Sequence, residues 1–177
     1  MSTVRRAVHG LTHHEPGRAF AGYTLFAPMY GKSVWLIDME GRIVHRWEME
    51  NIPGNHGRLL ANGNLMYAGK LIPSPLPDFG GNGGQIIELD WDGNILWEYR
   101  DPYHSHCFTQ LAGGNIIIAQ WRPVPPEIAA SVAGGQPGTE RDGVMWGEAI
   151  QEIDRATKEV VWEWLSFAHL DVAQDII

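Results

Sequence analysis

The sequence predicts an all-β chain forming part of a β-propeller, and three observations carry that prediction. One hairpin pattern recurs three times; the 177 residues are rich in tryptophan (8) and glycine (21); and helix signals are scarce. The recurring hairpins are VWLIDMEGRIVHRWEM (34–49), IIELDWDGNILWEYR (86–100) and IQEIDRATKEVVWEWLSF (150–167). Each is an apolar strand, an acidic turn and a second strand ending in alternating aromatics.

The elements follow in order. Residues 1–21 read as a polar N-terminal arm carrying His9, His13 and His14 as solvated side chains, and GYTLFAP (22–28) as a strand completing the first unit. In the hairpins Asp38, Asp90 and Asp154 fall at matching places, 52 and 64 residues apart. Glu40-Gly41 and Asp92-Gly93 supply residues that tolerate positive φ, and Ala156-Thr157-Lys158 makes a longer turn. The aromatic pairs His45/Trp47, Trp97/Tyr99 and Trp162/Trp164 each share a face, because side chains in a strand alternate with period two. Asp90-Trp91-Asp92-Gly93-Asn94 opens like a calcium loop but lacks its distal glutamate, which leaves it a hairpin turn.

A second element follows the first two hairpins: HGRLLANGNLMYAG (56–69) and HCFTQLAGGNIIIAQ (106–120), each strand, Gly-Asn turn, strand. Four strands in roughly 40 to 50 residues match a propeller blade. A β-sandwich also alternates strands with turns, but three copies of one hairpin at this spacing favour the propeller. Residues 22–177 therefore read as a partial propeller, with units at 22–69, 86–120 and 150–177 and an insertion at 121–148 whose Pro-Pro-Glu opening starts a short helix at Glu127–Val132. About three blades of a six-bladed ring leave an open strand edge, so the expected partner is a second chain or fragment supplying the remaining blades.

Charge and composition narrow the function. A net charge of −8 without a Lys/Arg cluster beyond Arg5-Arg6 argues against nucleic acid or an anionic membrane as partner. No apolar run approaches a membrane span and no apolar segment follows the N-terminal arginines, so a cytoplasmic location is expected. The single cysteine excludes an internal disulfide, and Cys107 reads as a buried, inert thiol facing away from His104 and His106.

Histidines carry the functional expectation. His104 follows Tyr99 by five residues, as His169 follows Trp164, and His104-Ser105-His106 answers His169-Leu170-Asp171; His56 lies in the corresponding connection of the first copy. In a propeller these connections converge on the central channel. In an extended segment His104 and His106 share a face, so with His56, His169 or Asp171 they could chelate a divalent or redox metal. Equally, neutral imidazoles beside an anion can act as nucleophile, acid or donor, with no cofactor. Arg58 and Arg122, each beside an inner strand, are candidates to hold an anionic substrate. His45, standing where later copies have tryptophan, reads as a packed strand residue.

The segments HGRLLANGNLMYAG, YHSHCFTQLAGGNIIIAQW and AHLDVAQDII together resemble the arylsulfotransferase (aryl-sulfate sulfotransferase) propeller family, in its N-terminal half. The resemblance implies a six-bladed enzyme that moves a sulfuryl group from an aryl sulfate to a phenolic acceptor through channel histidines, without a nucleotide. On that reading His56, His104 and His106 are catalytic, Arg58, Arg122 and His169 bind a small aromatic or anionic substrate, and the nucleophilic histidine and its arginine belong to later blades. The signal peptide and cysteine pair of classical members are not matched. Two other functions fit the same pattern: a metal-dependent hydrolase, lyase or oxidase, and a non-catalytic ligand-binding propeller.

Overall fold

The computed structural model describes residues 11–77, 80–133 and 142–171. Residues 1–10 of the expected arm, with His9, lie outside the described residues, as do 134–141 of the insertion and 172–177 of the third unit.

The fold is all-β: three antiparallel sheets, each an unbroken meander. The first contains β1 (Thr24–Phe26), β2 (Ser33–Ile37) and β3 (Ile43–Glu48). The second contains β4 (Pro53–Leu59), β5 (Leu65–Lys70), β6 (Gly84–Leu89) and β7 (Ile95–Arg100). The third contains β8 (His104–Gln110), β9 (Ile116–Pro123), β10 (Trp146–Ile153) and β11 (Val160–Leu165). Two single-turn helices complete the described residues: α1 (Pro126–Ala129) in the insertion and α2 (Ser166–His169) after β11. α1 starts one residue earlier and ends three earlier than the expected helix. No helix among the described residues is long and apolar enough to cross a membrane.

The recurring side chains have local explanations. The carboxylate of each hairpin aspartate accepts backbone N–H groups of its own turn: Asp38 from Arg42 (2.8 Å), Asp90 from Asn94 (2.8 Å) and Asp154 from Thr157 (2.7 Å). These carboxylates close turns. The Gly-Asn element does a different job: Asn64 donates to Glu88 on β6 (2.6 Å) and Asn115 to Glu152 on β10 (2.7 Å), tying the first turn of each four-stranded sheet to its third strand.

Period-two alternation divides the core into two layers. Leu65 and Tyr67 of β5, with Ile87 and Leu89 of β6, pack against Val34, Leu36 and Trp47 of the first sheet. Met66, Ala68 and Ile86 point the other way, onto Phe108, Ile116, Ile118 and Ile153 of the third. The second sheet is thus the middle of a face-to-face stack, which is why β5 and β6 read as continuous rather than alternating apolar runs.

The sheets do not coincide with the units drawn from the sequence. Unit 22–69 is split, because residues 53–69 pair through β5 with the downstream strand β6 and not with β3. Likewise residues 86–100 end the second sheet and 104–123 begin the third. The reason lies in the repeat itself: an alternating series of Gly-Asn hairpins and aspartate-turn hairpins specifies a period but no starting point. Hydrogen bonding decides, and it joins each Gly-Asn hairpin to the aspartate-turn hairpin that follows it.

Candidate functional site

The first strands of the second and third sheets, β4 and β8, lie against each other and carry the candidate side chains. Both strands are bulged at the same place. On β4 the pairing jumps from Pro53↔Gly69 to His56↔Ala68, and on β8 from His104↔Gln120 to Phe108↔Ile118, so each strand holds two extra residues. The bulge changes which side chains face which way.

His104 is buried, 1% exposed. Its Nδ1 accepts the Gly84 N–H (3.2 Å), which places the ring proton on Nε2, and Nε2–H donates to the Cys107 carbonyl (3.2 Å). Burial pushes its pKa down to about 4, with the neighbouring His106 and His56 adding to the depression and the Cys107 carbonyl opposing it. Both nitrogens are committed to the backbone, so His104 is a pin holding the bulge to β6. It cannot serve as nucleophile or metal ligand without breaking one of these bonds.

His106 and Cys107 correct the sequence reading in the other direction. Cys107 is exposed, and its Sγ lies 2.8 Å from His106 Nδ1. Simple alternation would have turned the thiol away from His106; the two extra residues remove that alternation. His56, half-buried, sets its ring edge-on to Phe108 at a centroid distance of 4.5 Å. Its pKa is lowered by burial first, then by His106 and by Arg58, all of which favour the neutral imidazole. Arg58 crosses from β4 to β8, where its Nη1 donates to Thr109 Oγ1 at 3.1 Å. His56 and Arg58 thus stand on β4, and His106 and Cys107 on the adjacent β8.

The other expected residues fall elsewhere. Arg122, on β9, donates to Gln120 (3.1 Å), lies 3.9 Å from the Asp101 carboxylate and stacks over Tyr103. It belongs to a polar chain that runs from buried Asp101, Gln120 and Gln151 out to exposed Glu163: Gln120 donates to Asp101 and Gln151, and Gln151 to Glu163. His169 stacks in parallel on Trp164 (5.3 Å), because the chain after β11 turns into α2 and does not extend as it does at His104. Asp171, two residues further on, is exposed. The five-residue match to Tyr99 and His104 counted positions correctly and missed the helix. Among the described residues no group of three or more His, Cys, Asp or Glu is placed to hold a metal ion, so the expected set His56, His104, His106, His169 and Asp171 does not converge.

Sequence reasoning missed the backing of the site. The β5–β6 connection ends in Gly80-Gly81-Asn82-Gly83-Gly84, which runs directly behind the β8 bulge. A β-carbon at Gly83 would overlap the Ser105 carbonyl and His104 Nδ1, and one at Gly81, whose φ is +89°, would overlap the His106 ring. The glycine run was the available signal: backbone approaching this closely tolerates no side chain. On the other side of His56 a cleft of about 400 Å³, lined by Leu25, Phe26, Ala27, Met29 and Val34, separates β4 from β1.

With this geometry in hand, known proteins add a fold-level likeness. The chain is similar to the crystal structure of a protein of unknown function from Bacteroides caccae, with a TM-score of 0.51 and 16% identity, over 85% of this chain and 48% of that one. It therefore spans about half the length of that structure. No family model and no curated protein matches the chain.

Proposed function

We propose that the chain supplies three blades of a six-bladed β-propeller and one wall of a histidine-lined site for a small aromatic or anionic substrate, in an arylsulfotransferase-like sulfuryl transfer. The observation that carries the reading is that β4, with His56 and Arg58, lies against β8, with His106, and that the Arg58 guanidinium reaches across to Thr109. A guanidinium beside a neutral imidazole suits the oxygens of a sulfate monoester. Sulfuryl transfer would break the aryl O–S bond as a nucleophilic histidine nitrogen bonds to sulfur, with His56 or His106 relaying a proton to the departing phenolate. The acceptor phenol would then pass its proton to that same imidazole as its oxygen bonds to sulfur and the N–S bond breaks, which restores both histidines. His104 is excluded as that nucleophile by its backbone hydrogen bonds, and the remaining blades are the expected source.

Repetition between sheets supports the propeller reading. His45 of β3 stacks on Trp91 in the turn of the second sheet (4.0 Å), and Trp97, at the matching place on β7, lies under the guanidinium of Arg155 in the turn of the third (5.1 Å). Each junction is also closed by an indole N–H on a turn carbonyl, Trp47 on Asp90 (2.9 Å) and Trp97 on Arg155 (2.8 Å). Trp162 occupies the same place on β11 and is 49% exposed, as the next ring to be covered by a further sheet. A partner or continuation of the same architecture fits there.

The test is release of p-nitrophenol from p-nitrophenyl sulfate with phenol as acceptor, using the protein assembled with whatever completes the ring. Turnover should fall about 10²-fold or more in His56→Ala, His106→Ala and Arg58→Ala. No release by the assembled protein overturns the reading in favour of a binding module, and turnover that tracks a stoichiometric metal overturns it in favour of metal-dependent chemistry.

A further inference from the structure

Three cross-strand pairs stand at one place in the three sheets. Leu36 is opposite His45, Glu88 opposite Trp97 and Glu152 opposite Trp162, and in each sheet the register shifts immediately afterwards, before Ile37, Leu89 and Ile153. The next residue is the turn aspartate, Asp38, Asp90 or Asp154, and directly after it come Met39, Trp91 and Arg155. That last position reaches back to the preceding sheet. Trp91 stacks on His45 at 4.0 Å, while the Arg155 guanidinium lies 5.1 Å from the Trp97 ring and pairs with the Glu88 carboxylate.

The pair on one sheet thus matches the residue that arrives from the next. Leu36, which offers no charge, goes with an indole; Glu88 goes with a cation that satisfies both members of its pair. Glu88 is held for that contact, because Asn64 donates to its Oε1 (2.6 Å) and leaves Oε2 to Arg155. Glu152 is held in the same way, with Asn115 donating to its Oε1 at 2.7 Å. It alternates along β10 with Ile153, which packs toward the second sheet, so Glu152 and Trp162 lie on the face turned away from that sheet. Among the described residues Glu152 has no ion-pair partner, and Trp162 is 49% exposed.

We infer that Glu152 and Trp162 form a guanidinium site, and that its occupant is the arginine directly following the turn aspartate of a fourth sheet. A guanidinium is planar, always charged and weakly hydrated, so it lies on an indole and pairs with a carboxylate at once. A second copy of this chain does not supply it, because its first sheet carries Met39 at that place and would set a thioether against Glu152. The inference rests on the proposed array of sheets and is independent of its sulfuryl chemistry.

The probe is a hairpin of the chain's own sequence, residues 150–165, fused after residue 177 through a long Gly/Ser linker that raises its local concentration to about the millimolar range. It offers a second Arg155 turn to the parent sheet, and a control fusion carries Arg155→Met in the added hairpin alone. Trp97 donates its indole N–H to the Arg155 carbonyl (2.8 Å), so the parent Trp162 N–H, identified by its loss in Trp162→Phe, reports the equivalent contact. That N–H should exchange with water at least about tenfold more slowly with the arginine hairpin than with the control, and Glu152→Gln in the parent sheet should erase the difference. Equal slowing by both hairpins overturns the guanidinium site and leaves the array of sheets standing. No slowing by either, with the β6 amides still protected, overturns the two together. A dimeric native mass of the unfused chain, with its Trp162 N–H already protected, also overturns the inference by assigning this face to a second copy. No readout requires turnover, so the outcome is separable from that of the proposed reaction.

Discussion

His56 and Cys107 occupy corresponding places on neighbouring strands: each lies eight residues before the asparagine of its turn, Asn64 and Asn115. Reading the repeats by their histidines aligns His56 with His106, one residue out of register. Counting from the turn asparagines Asn64 and Asn115 recovers the correct match, because the turn ties both strands of its hairpin and the bulge lies at the far end. An imidazole on β4 thus corresponds to a thiol on β8, and His106 Nδ1 lies 2.8 Å from that thiol.

Exposure of that thiol is directly measurable. Cys107 should react with one equivalent of a disulfide reagent such as DTNB in the native protein, and His106→Ala should alter the pH dependence of the rate, since the ring nitrogen 2.8 Å away is then gone. A thiol that reacts only after denaturation would contradict the placement.

His104 makes stability depend on pH. Its pKa falls from 6.5 in the unfolded chain to about 4 in the folded one, so between those values the unfolded state binds the extra proton. The contribution is whole above pH 6.5 and is lost as pH drops toward 4, with a slope of at most about 1.4 kcal/mol per pH unit. Denaturant titrations from pH 8 to 4 should show that decline, and His104→Gln should remove this part of it. His104→Ala should cost about 2–4 kcal/mol at pH 7, because it opens a cavity and strands the Gly84 N–H and Cys107 carbonyl.

The glycine strap discriminates between contact and mere flexibility. Gly83→Ala forces a β-carbon onto the Ser105 carbonyl and the His104 ring, and should cost at least about 2 kcal/mol or prevent folding. Gly80→Ala, with nothing within 4 Å, should stay within about 0.5 kcal/mol of the parent protein. Thermal or urea unfolding of the pair decides it.

Two tryptophans at matching places should behave differently. Trp97→Phe removes the indole N–H donated to the Arg155 carbonyl and weakens the ring under its guanidinium, for about 1–2 kcal/mol. Trp162→Phe should change the stability of the 177-residue chain by no more than about 0.5 kcal/mol, because the ring is half exposed. Equal effects in the isolated chain would mean that Trp162 is already covered.

Local chemistry was legible in the order of residues. Turn aspartates, positive-φ glycines and alternating aromatics each act within a few positions of themselves, so the hairpins, their all-β character and the twice-repeated Gly-Asn element could be read directly. His56 and His106 were also found this way, since both lie in a connection that recurs.

Long-range pairing settled everything that depends on which strand lies beside which. A periodic series has no intrinsic beginning, so the grouping of hairpins into sheets awaited the hydrogen bonds of Pro53–Leu59 to β5 and of β5 to β6. Bulges are invisible to a count of alternating side chains, and the one on β8 sent His104 into the interior and Cys107 into solvent. The edge of β1 away from β2, which pairs with no strand among the described residues, likewise leaves no mark on the sequence, because an unpaired edge is a property of the neighbour and not of the strand.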